Sequence, residues 1–403
     1  SDTTGDAYYG DDFLAGNAGN DLIFGQLGND TVQGDGEVAT SGAGHALTTV
    51  DDLDNNATGG TLYFNNGESP TDGDDYIEGN GGNDLIMGGL GQDDIIGGSS
   101  SLYGLDTEAE RPDGMDEIYG GAHNPDRIQR NATTDDLADP HTRDSDFIAG
   151  DNADIYRIVS TDDQGIVSYV GFNYDDAYGE SRGIVVRATT LLDFDPSTAG
   201  PQTNGDADLI YGESGDDFIH AMMGSDVVYG DAENDDIFGE QGTDWLSGGT
   251  GDDAILGDTG LIATSRNSDS FGESLYGIAS LGSRDLDLYI DTPGDIQQSI
   301  INLEDQLKKT VDLTPFDAGA DDIIYGGLGD DSLHGGFGDD AISGAEAMED
   351  VAAEVAGVFY YSGYSNPANP GGVLGFDAGT EEFALYEEFT PRVKIMVDGK
   401  EFL

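Results

Sequence analysis

The chain repeats itself every nine residues, and no other feature restricts its fold as much. Beginning at Gly212, G-E-S-G-D-D-F-I-H is followed by A-M-M-G-S-D-V-V-Y, G-D-A-E-N-D-D-I-F, G-E-Q-G-T-D-W-L-S and G-G-T-G-D-D-A-I-L, with no residue gained or lost through Leu256. T-N-G-D-A-D-L-I-Y precedes them from Thr203, so six units share one frame. The frame returns over residues 7–33, 70–96 and 317–343, where G-N-G-G-N-D-L-I-M and G-G-F-G-D-D-A-I-S are clear copies. Half-copies, D-G-M-D-E-I-Y around Asp116 and D-S-D-F-I-A around Asp146, lie between the second and third blocks. A fixed short period points to stacked units, each unable to bury its apolar face alone.

Each unit reads as a six-residue turn, Gly at its first and often second and fourth positions and Asp at its sixth, followed by three residues with an apolar centre. Glycine suits a turn that needs positive φ and brings carbonyls close together, where a Cβ would obstruct. The Asp carboxylate and those carbonyls are hard oxygen donors, and Ca²⁺ takes six to eight of them. Ile23, Val32, Ile86, Ile95, Ile210, Ile219, Val228, Ile237, Leu246, Ile255, Ile324, Leu333 and Ile342 occupy the centres. Such spacing suits short strands that turn one side chain inward.

Charge supports the same view. The chain has 82 acidic and 14 basic residues and a formal charge of −68. That excludes nucleic-acid recognition through clustered cations, and an anionic membrane surface would repel it. Acidity of this order usually opposes compaction, but here the carboxylates keep register with apolar triplets, which a solvating tail or a merely halophilic surface would not show. There is no cysteine, so disulfides and thiolate chemistry are absent and metal is expected to take over some of the stapling. No run of about twenty apolar residues suggests a membrane span. The residues given open on no basic-then-apolar leader, and the chain starts and stops without boundary signals, as a section of a longer polypeptide would.

In this phrase, G-G-x-G-x-D-x-U-x with U apolar, the chain resembles the repeats-in-toxin (RTX) hemolysin-type calcium-binding nonapeptide-repeat family. The resemblance covers about a third of the chain and implies a mostly β fold: a right-handed parallel β-roll in several blocks, two nonapeptides per turn, with calcium between stacked turns. It further implies that multiple Ca²⁺ ions are held by carbonyls and by sixth-position aspartates of units two apart. Carried onto this sequence, those are Asp12, Asp21 and Asp30; Asp75, Asp84 and Asp93; Asp208, Asp217, Asp226, Asp235, Asp244 and Asp253; Asp322, Asp331 and Asp340; and, from the half-copies, Asp116 and Asp146. Ala221 replaces a first Gly, and Glu233 and Asp206 stand where a fourth Gly belongs, so weak binding is expected in those turns. Family members typically leave the cell through a type I exporter.

The domain division read from the frame is 1–36, first roll block; 37–69, insertion; 70–153, second block with degenerate repeats and an insertion; 154–202, β-rich insertion; 203–260, third block; 261–316, insertion; 317–344, fourth block; 345–403, non-repeat C-terminal region. Within 154–202, I-V-S-Y-V-G-F-N-Y and G-I-V-V-R-A-T-T-L-L-D-F read as strands of a hairpin or small sheet. Over 295–311, Ile296, Ile300, Leu303, Leu307 and Val311 share one face of an expected amphipathic helix. At the end, V-K-I-M-V-D-G-K-E-F-L reads as a hairpin turning at Asp398-Gly399, and the C-terminal region is expected to cap the roll's open edge.

No H-E-x-x-H, G-x-S-x-G or P-loop is present, and the five histidines are scattered; His220 and His334, at the ninth position, read as outward-facing spacers. We therefore expect no catalytic residues and no organic cofactor. Without calcium the stacked carboxylates repel by several kcal/mol at an effective dielectric of about 20. At calcium about 100 times Kd each filled site adds about 2.7 kcal/mol, against the ~5–15 kcal/mol of a whole domain. The expected protein is a calcium-folded extracellular or cell-surface scaffold, a section of a large secreted or surface-attached bacterial protein. Its expected partners are calcium, further copies of itself, and other surface proteins or polysaccharide, with no nucleic acid and no membrane insertion. The alternative is a folding and secretion module for an enzyme whose catalytic domain lies elsewhere.

Overall fold

The computed structural model describes residues 11–35, 71–122, 143–161, 164–172, 183–195, 205–267 and 319–344, with isolated strands at 37–39, 45–46, 63–65, 289–291, 298–302, 309–312, 351–355, 358–361, 376–377, 382–383, 395–397 and 400–402. Successive units place their strands alternately in two parallel sheets. The first sheet has nine strands: Phe13–Ala15, Thr31–Gln33, Leu85–Met87, Glu117–Tyr119, Leu209–Tyr211, Val227–Ala232, Trp245–Thr250, Ile323–Leu328 and Ala341–Ser343. The second has eight: Leu22–Leu27, Tyr76–Gly81, Asp94–Ile96, Phe147–Ala149, Phe218–His220, Asp236–Phe238, Ala254–Leu256 and Ser332–His334. Each order follows the sequence, so this is a parallel β-roll two units to the turn.

The four repeat blocks are not separate rolls. Val32 lies beside Ile86 across the first insertion, and Leu246 lies beside Ile324 across the last. The half-copies are full members: Ile118 is flanked by Ile86 and Ile210, and Ile148 by Ile95 and Ile219. The central residues fuse into one core running from Val32 through Ile77, Ile86, Ile118, Ile148, Ile219 and Leu246 to Ile324. Each is β-branched or branched aliphatic and packs on its like one strand away. Among the described residues the stack ends with Ile342, which is 48% exposed although it holds a central position.

The insertions leave the roll without disturbing it, because each is spliced into a turn between its second and fourth positions. In an unbroken turn the first glycine faces its own sixth-position carboxylate: a Cβ on Gly79 would stand 2.6 Å from Asp84 Oδ2. The same neighbour meets Gly34 as Asp75, Gly97 as Asp116, Gly120 as Asp146, Gly150 as Asp208 and Gly257 as Asp322. The chain thus departs after Asp35, Gly98, Gly121, Asp151 and Asp258, and re-enters near Asp72, Asp113, Asp144, Gly205 and Gly319 to finish the turn it had begun. What the sequence showed as a single gap between the second block and Arg143 is two insertions with a roll strand between them.

Two insertions cover the second sheet's outer face. One contains Ala153–Arg157 paired antiparallel with Arg187–Leu191, and Val159–Thr161 paired with Val167–Tyr169, the β structure expected there. The other is a four-stranded sheet of Leu261–Asn267, Tyr289–Asp291, Gln298–Asn302 and Lys309–Asp312. Ile155, Ile262 and Val311 from these insertions pack on Ile96, Phe147, Phe218, Phe238 and Leu256 of the roll. The helix expected over 295–311 is therefore corrected: Gln298–Asn302 and Lys309–Asp312 are strands. Tertiary pairing with Leu261–Asn267 overrides the helical period, and Lys309 is drawn onto the roll instead of ending a helix. On the first sheet's outer face, Tyr119 stacks on Tyr211 at 4.8 Å and Tyr211 on Tyr229 at 4.8 Å, with Trp245 and Tyr325 continuing the row.

Ile395–Val397 pairs antiparallel with Lys400–Phe402, Val397 opposite Lys400, as the Asp-Gly signal requires. A capping role for the C-terminal region lies outside the described residues. Among the described residues no helix is long and apolar enough to cross a membrane.

Candidate calcium sites

All seventeen aspartates singled out from the sequence fall into two ladders, one along each row of turns. In the first, the main-chain N–H of each Asp donates to Oδ1 of the next: Asp12 to Asp30 (2.6 Å), Asp30 to Asp84 (2.6 Å), Asp84 to Asp116 (2.8 Å), Asp116 to Asp208 (2.8 Å), Asp208 to Asp226 (2.8 Å), Asp226 to Asp244 (2.9 Å), Asp244 to Asp322 (2.9 Å) and Asp322 to Asp340 (3.0 Å). The second runs Asp21 to Asp75 (2.7 Å), Asp75 to Asp93 (2.7 Å), Asp93 to Asp146 (2.7 Å), Asp146 to Asp217 (2.8 Å), Asp217 to Asp235 (2.9 Å), Asp235 to Asp253 (2.9 Å) and Asp253 to Asp331 (3.2 Å). Asp116 and Asp146 from the half-copies take their places like the rest.

Using Oδ1 in this way leaves the other oxygen over. Oδ2 of Asp30, Asp75, Asp84, Asp93, Asp116, Asp146, Asp208, Asp217, Asp226, Asp235, Asp244, Asp253 and Asp322 is buried with no hydrogen-bond partner. A buried acceptor left unmatched costs about 1–3 kcal/mol, and more when charged, so a row of them needs a common cause. Main-chain carbonyls stand beside these oxygens: the space a Cβ on Gly150 would fill is 2.5 Å from both Asp208 Oδ2 and the Ala221 carbonyl. Asp244 Oδ2 and the Gly257 carbonyl flank Gly239 in the same way. Among the described residues no three Asp, Glu or His side chains converge on one point; the donors come instead as carboxylates of stacked turns with carbonyls between them. Oxygen donors of this kind fit a hard divalent ion with high coordination number and irregular geometry, the preference of Ca²⁺.

Electrostatics says what the cation must do. Burial pushes Asp30 up to about 6, Asp75 and Asp84 to about 7, Asp244 to about 8 and Asp322 to about 10. Asp93, Asp116, Asp146, Asp208, Asp217, Asp226, Asp235 and Asp253 lie well above the usual carboxylate range, again through burial first, with neighbouring carboxylates adding to it in most of them. Asp331 and Asp340, nearer the end of the roll, are also raised by burial. The metal-free ladder therefore favours protons over ionisation, and a divalent ion supplies the charge that lets both ladders ionise.

Residues that depart from the repeat pattern keep the turn. Ala221 lends its carbonyl where a glycine would, and Glu233 adopts φ 83° with its carbonyl under Gly251. The Asp206 carbonyl lies under Gly224 in the same manner.

Two groups of functional residues escaped the sequence reading. The first is a set of acids at second and third positions, where insertions leave or return: Asp35, Asp151 and Asp258 are buried, and Asp113 is half-buried with its Oδ2 covered. Asp35 Oδ2 accepts the Gly73 N–H at 3.1 Å and Asp258 Oδ1 the Ala320 N–H at 3.1 Å, so each clasps the returning chain. An acid standing where the nine-residue frame breaks was the available signal.

The second group is cationic. Arg187, 1% exposed, places Nε 2.9 Å from Asp94 Oδ1 and reaches the Val185 and Ser145 carbonyls at 3.1 Å. Arg157 holds Asp94 Oδ2 at 2.5 Å and the Gln92 and Asp75 carbonyls at 2.6 and 3.1 Å. Lys309 binds Asp236 Oδ1 at 2.9 Å and the Asn234 and Asp235 carbonyls at 2.9 and 2.8 Å. Burial draws the Lys309 ammonium down, but Asp236, Asp253 and Asp216 outweigh it and hold its pKa above the ordinary value. Asp94 and Asp236 put a carboxylate at the seventh position of second-sheet units, where the others have Leu22, Tyr76, Phe147, Phe218, Ala254 and Ser332. Those two carboxylates are where the insertions are fastened.

His220 is on the outer face, as its ninth position implied, but it is buried: Nδ1 lies 3.0 Å from Glu240 Oε1 and the ring stacks on Phe238 at 4.5 Å.

Geometry of this kind defines a parallel β-roll whose turns are built to hold calcium. The model of the RTX calcium-binding nonapeptide repeat (4 copies) matches residues 6–37, 70–101, 202–237, 229–260 and 318–346, so the chain carries the calcium-binding repeats of the RTX family. Asp116 and Asp146 lie outside those matches, and the turns they complete join the same roll. No curated protein matches the chain.

Proposed function

We propose that this chain is a calcium-folded scaffold, a section of a large secreted or surface-attached protein, and not a catalyst. The observation that carries the reading is the pair of continuous aspartate ladders, each with a row of buried oxygens left for a cation. At submicromolar calcium such ladders remain empty and the roll unfolded; at the millimolar concentrations outside a cell they fill, and sites with Kd near ~10⁻⁴ M suit that difference. Type I export, which the RTX resemblance implies, suits a fold that waits for calcium, since the chain would fold after it leaves the cell. The insertions, two of them fixed to the second sheet by Arg157, Arg187 and Lys309, are the parts that differ from a plain roll and are read as the interaction surfaces. Self-association into a layer, filament or adhesin draws support from Ala341–Ser343, the last roll strand among the described residues, whose central Ile342 is 48% exposed among them. Light scattering at millimolar calcium tests that part: association that grows with protein concentration is expected, and a monodisperse monomer at every concentration would end it. The scaffold reading as a whole fails if calcium titration leaves circular dichroism and hydrodynamic radius unchanged.

A further inference from the structure

The outer face of the second sheet is covered unevenly. From Asp94–Ile96 to Ala254–Leu256 it lies under the two insertions, which reach it with aliphatic side chains, Ile155, Ile262 and Val311, and with the cations Arg157, Arg187 and Lys309. Its first two strands, Leu22–Leu27 and Tyr76–Gly81, receive no aliphatic and cationic cover of this kind from the described residues. There Leu22 stands opposite Tyr76 and Phe24 opposite Glu78. Tyr103, from the segment that follows Gly98, closes on them, its ring edge-on to Phe24 at 4.7 Å and 6.1 Å from Tyr76. Leu22 nevertheless stays 53% exposed and Tyr103 55%. Leu102 and Tyr156, also exposed, extend the patch, since Ser101 Oγ and the Tyr156 hydroxyl both donate to Asp154 Oδ2, at 2.8 and 3.2 Å. Tyr76 packs against the covered cluster as well, so the open and covered stretches are continuous.

Charge says what the open stretch lacks. Beneath the rings Glu78, 1% exposed, is held by neutral donors only: the Tyr76 and Ser100 hydroxyls at 2.7 and 2.6 Å on Oε1, and the Asn80 amide at 2.8 Å on Oε2. Asp106, Glu108 and Glu110 follow Tyr103 on the surface. No lysine or arginine occurs in the sequence before Arg111, so this end of the roll has no local cation with which to fasten a cover.

We propose that this patch docks a separate polypeptide carrying Arg or Lys beside aliphatic residues, which lies on Leu22–Leu27 and Tyr76–Gly81 as the chain's own insertions lie on the strands that follow. Its aliphatic groups meet Leu22 and Leu102, and its cations meet the faces of Tyr103 and Tyr156, where the ring quadrupole attracts them. Arg157, 5.7 Å from the centre of the Tyr169 ring, makes the same kind of contact within the chain. Phe24, Tyr76 and Tyr103 are inclined to one another by 56°, 72° and 62°. They form steps that suit side chains and not a flat shelf for sugar rings, while a net charge of −68 turns away acidic partners.

The proposal gives the scaffold a partner and so rests on that reading; the experiment tells the two apart. A short peptide of alternating arginine and leucine is titrated calorimetrically into the calcium-loaded full chain, with circular dichroism of the same sample reporting the fold. Saturable binding is expected. The Leu22→Ala, Tyr103→Ala double variant keeps the net charge and should weaken it at least tenfold, as loss of an aromatic anchor does. Phe337→Ala, which removes an exposed aromatic ring at the other end of the roll, should leave it unchanged. No binding, binding that survives the double variant through bulk charge alone, or equally tight binding of a glutamate-leucine peptide or a neutral glucan oligosaccharide overturns the proposal. In each of those cases a calcium-dependent β signal leaves the scaffold reading intact, whereas a β signal indifferent to calcium sinks that reading. Should the double variant fail to fold, Tyr103→Ala alone, outside the roll, supplies the same comparison.

Discussion

The turn from Gly230 to Asp235 is six consecutive residues, while the turn that begins with Gly34 and Asp35 is finished by Asp72 to Asp75 only after the first insertion; the two are nevertheless alike in their bonding. Asp217 N–H reaches Asp235 Oδ1 at 2.9 Å, and Asp21 N–H reaches Asp75 Oδ1 at 2.7 Å. Asp236 N–H meets the Asp217 carbonyl at 2.8 Å, and Tyr76 N–H meets the Asp21 carbonyl at 3.1 Å. Stacking on the neighbouring turns, two units away in the repeat, sets the geometry; continuity of the chain within the turn does not. What continuity changes is the entropy of closure. Lengthening the path from first to sixth position from five residues to forty-one is about three doublings, or about 2 kcal/mol.

Removal of calcium has the largest expected effect and should not distinguish the two kinds of turn. At pH 8 in chelator, circular dichroism should lose the β signal of the whole roll. Acidification should then restore it, because the ladder carboxyls have folded pKa values raised above the ordinary 3.8, Asp84 to about 7 and Asp244 to about 8. A raised acid binds its proton more tightly when folded, so its stabilising share is complete below about pH 4. That share is lost as pH rises toward 7–8, by about 1.4 kcal/mol per pH unit for each group. Undiminished β structure at pH 8 in chelator, or none regained on acidification, would contradict this.

Next in size is Arg187→Met, which leaves Asp94 with Arg157 alone. Loss of one partner from a buried pair costs about 3–5 kcal/mol; denaturant melts at saturating calcium should show it, and a loss below 1 kcal/mol would mean the insertion is held by apolar contact alone. Asp235→Asn and Asp75→Asn give the sharpest comparison. Asparagine keeps the Oδ1 acceptor but not the charge, so each should lose at least one filled site, about 2.7 kcal/mol at calcium a hundredfold above Kd. The two losses should be equal within error; a markedly smaller one at Asp75 would show that interrupted turns bind poorly. The smallest effect is a gain: deleting residues 36–71 and joining Asp35 to Asp72 should stabilise the calcium-loaded roll by about 2 kcal/mol. No gain would mean that the insertion offsets its own closure entropy by packing.

The roll and its ladders were legible because their period is local: within each block the sixth-position aspartates and almost every central aliphatic residue could be counted off by nines. That the blocks join was not, since register across an insertion depends on partners such as Val32 and Ile86 that no nine-residue window contains. Asp116 and Asp146 were found from a few residues each, and their neighbours Ile118 and Ile148 would have fitted the list of centres had the missing first positions, Gly97 and Gly120, been sought upstream. The 295–311 segment misled for a different reason. Its period of apolar residues permits a helix, and only the distant strand Leu261–Asn267 and the pull of Asp236 on Lys309 decide for sheet. Asp35, Asp113, Asp151 and Asp258 were passed over although each stands where the nine-residue frame breaks, because no nine-residue window shows that the departing chain returns to finish its turn.

A turn that can be opened between its second and fourth positions and still close around its ligands behaves as a mounting bracket. Cargo can be added to such a rail without re-engineering it, provided its two ends lie close together and it leaves the first glycine and sixth aspartate in place. The brackets lie on both narrow edges of the roll: Asp35 and Gly121 on one, Gly98, Asp151 and Asp258 on the other. A lineage that acquires new attachments in this way can diversify what the rod displays while the ion-binding spine stays constant, and an engineer could fit a foreign loop between Asp231 and Ala232 on the same terms.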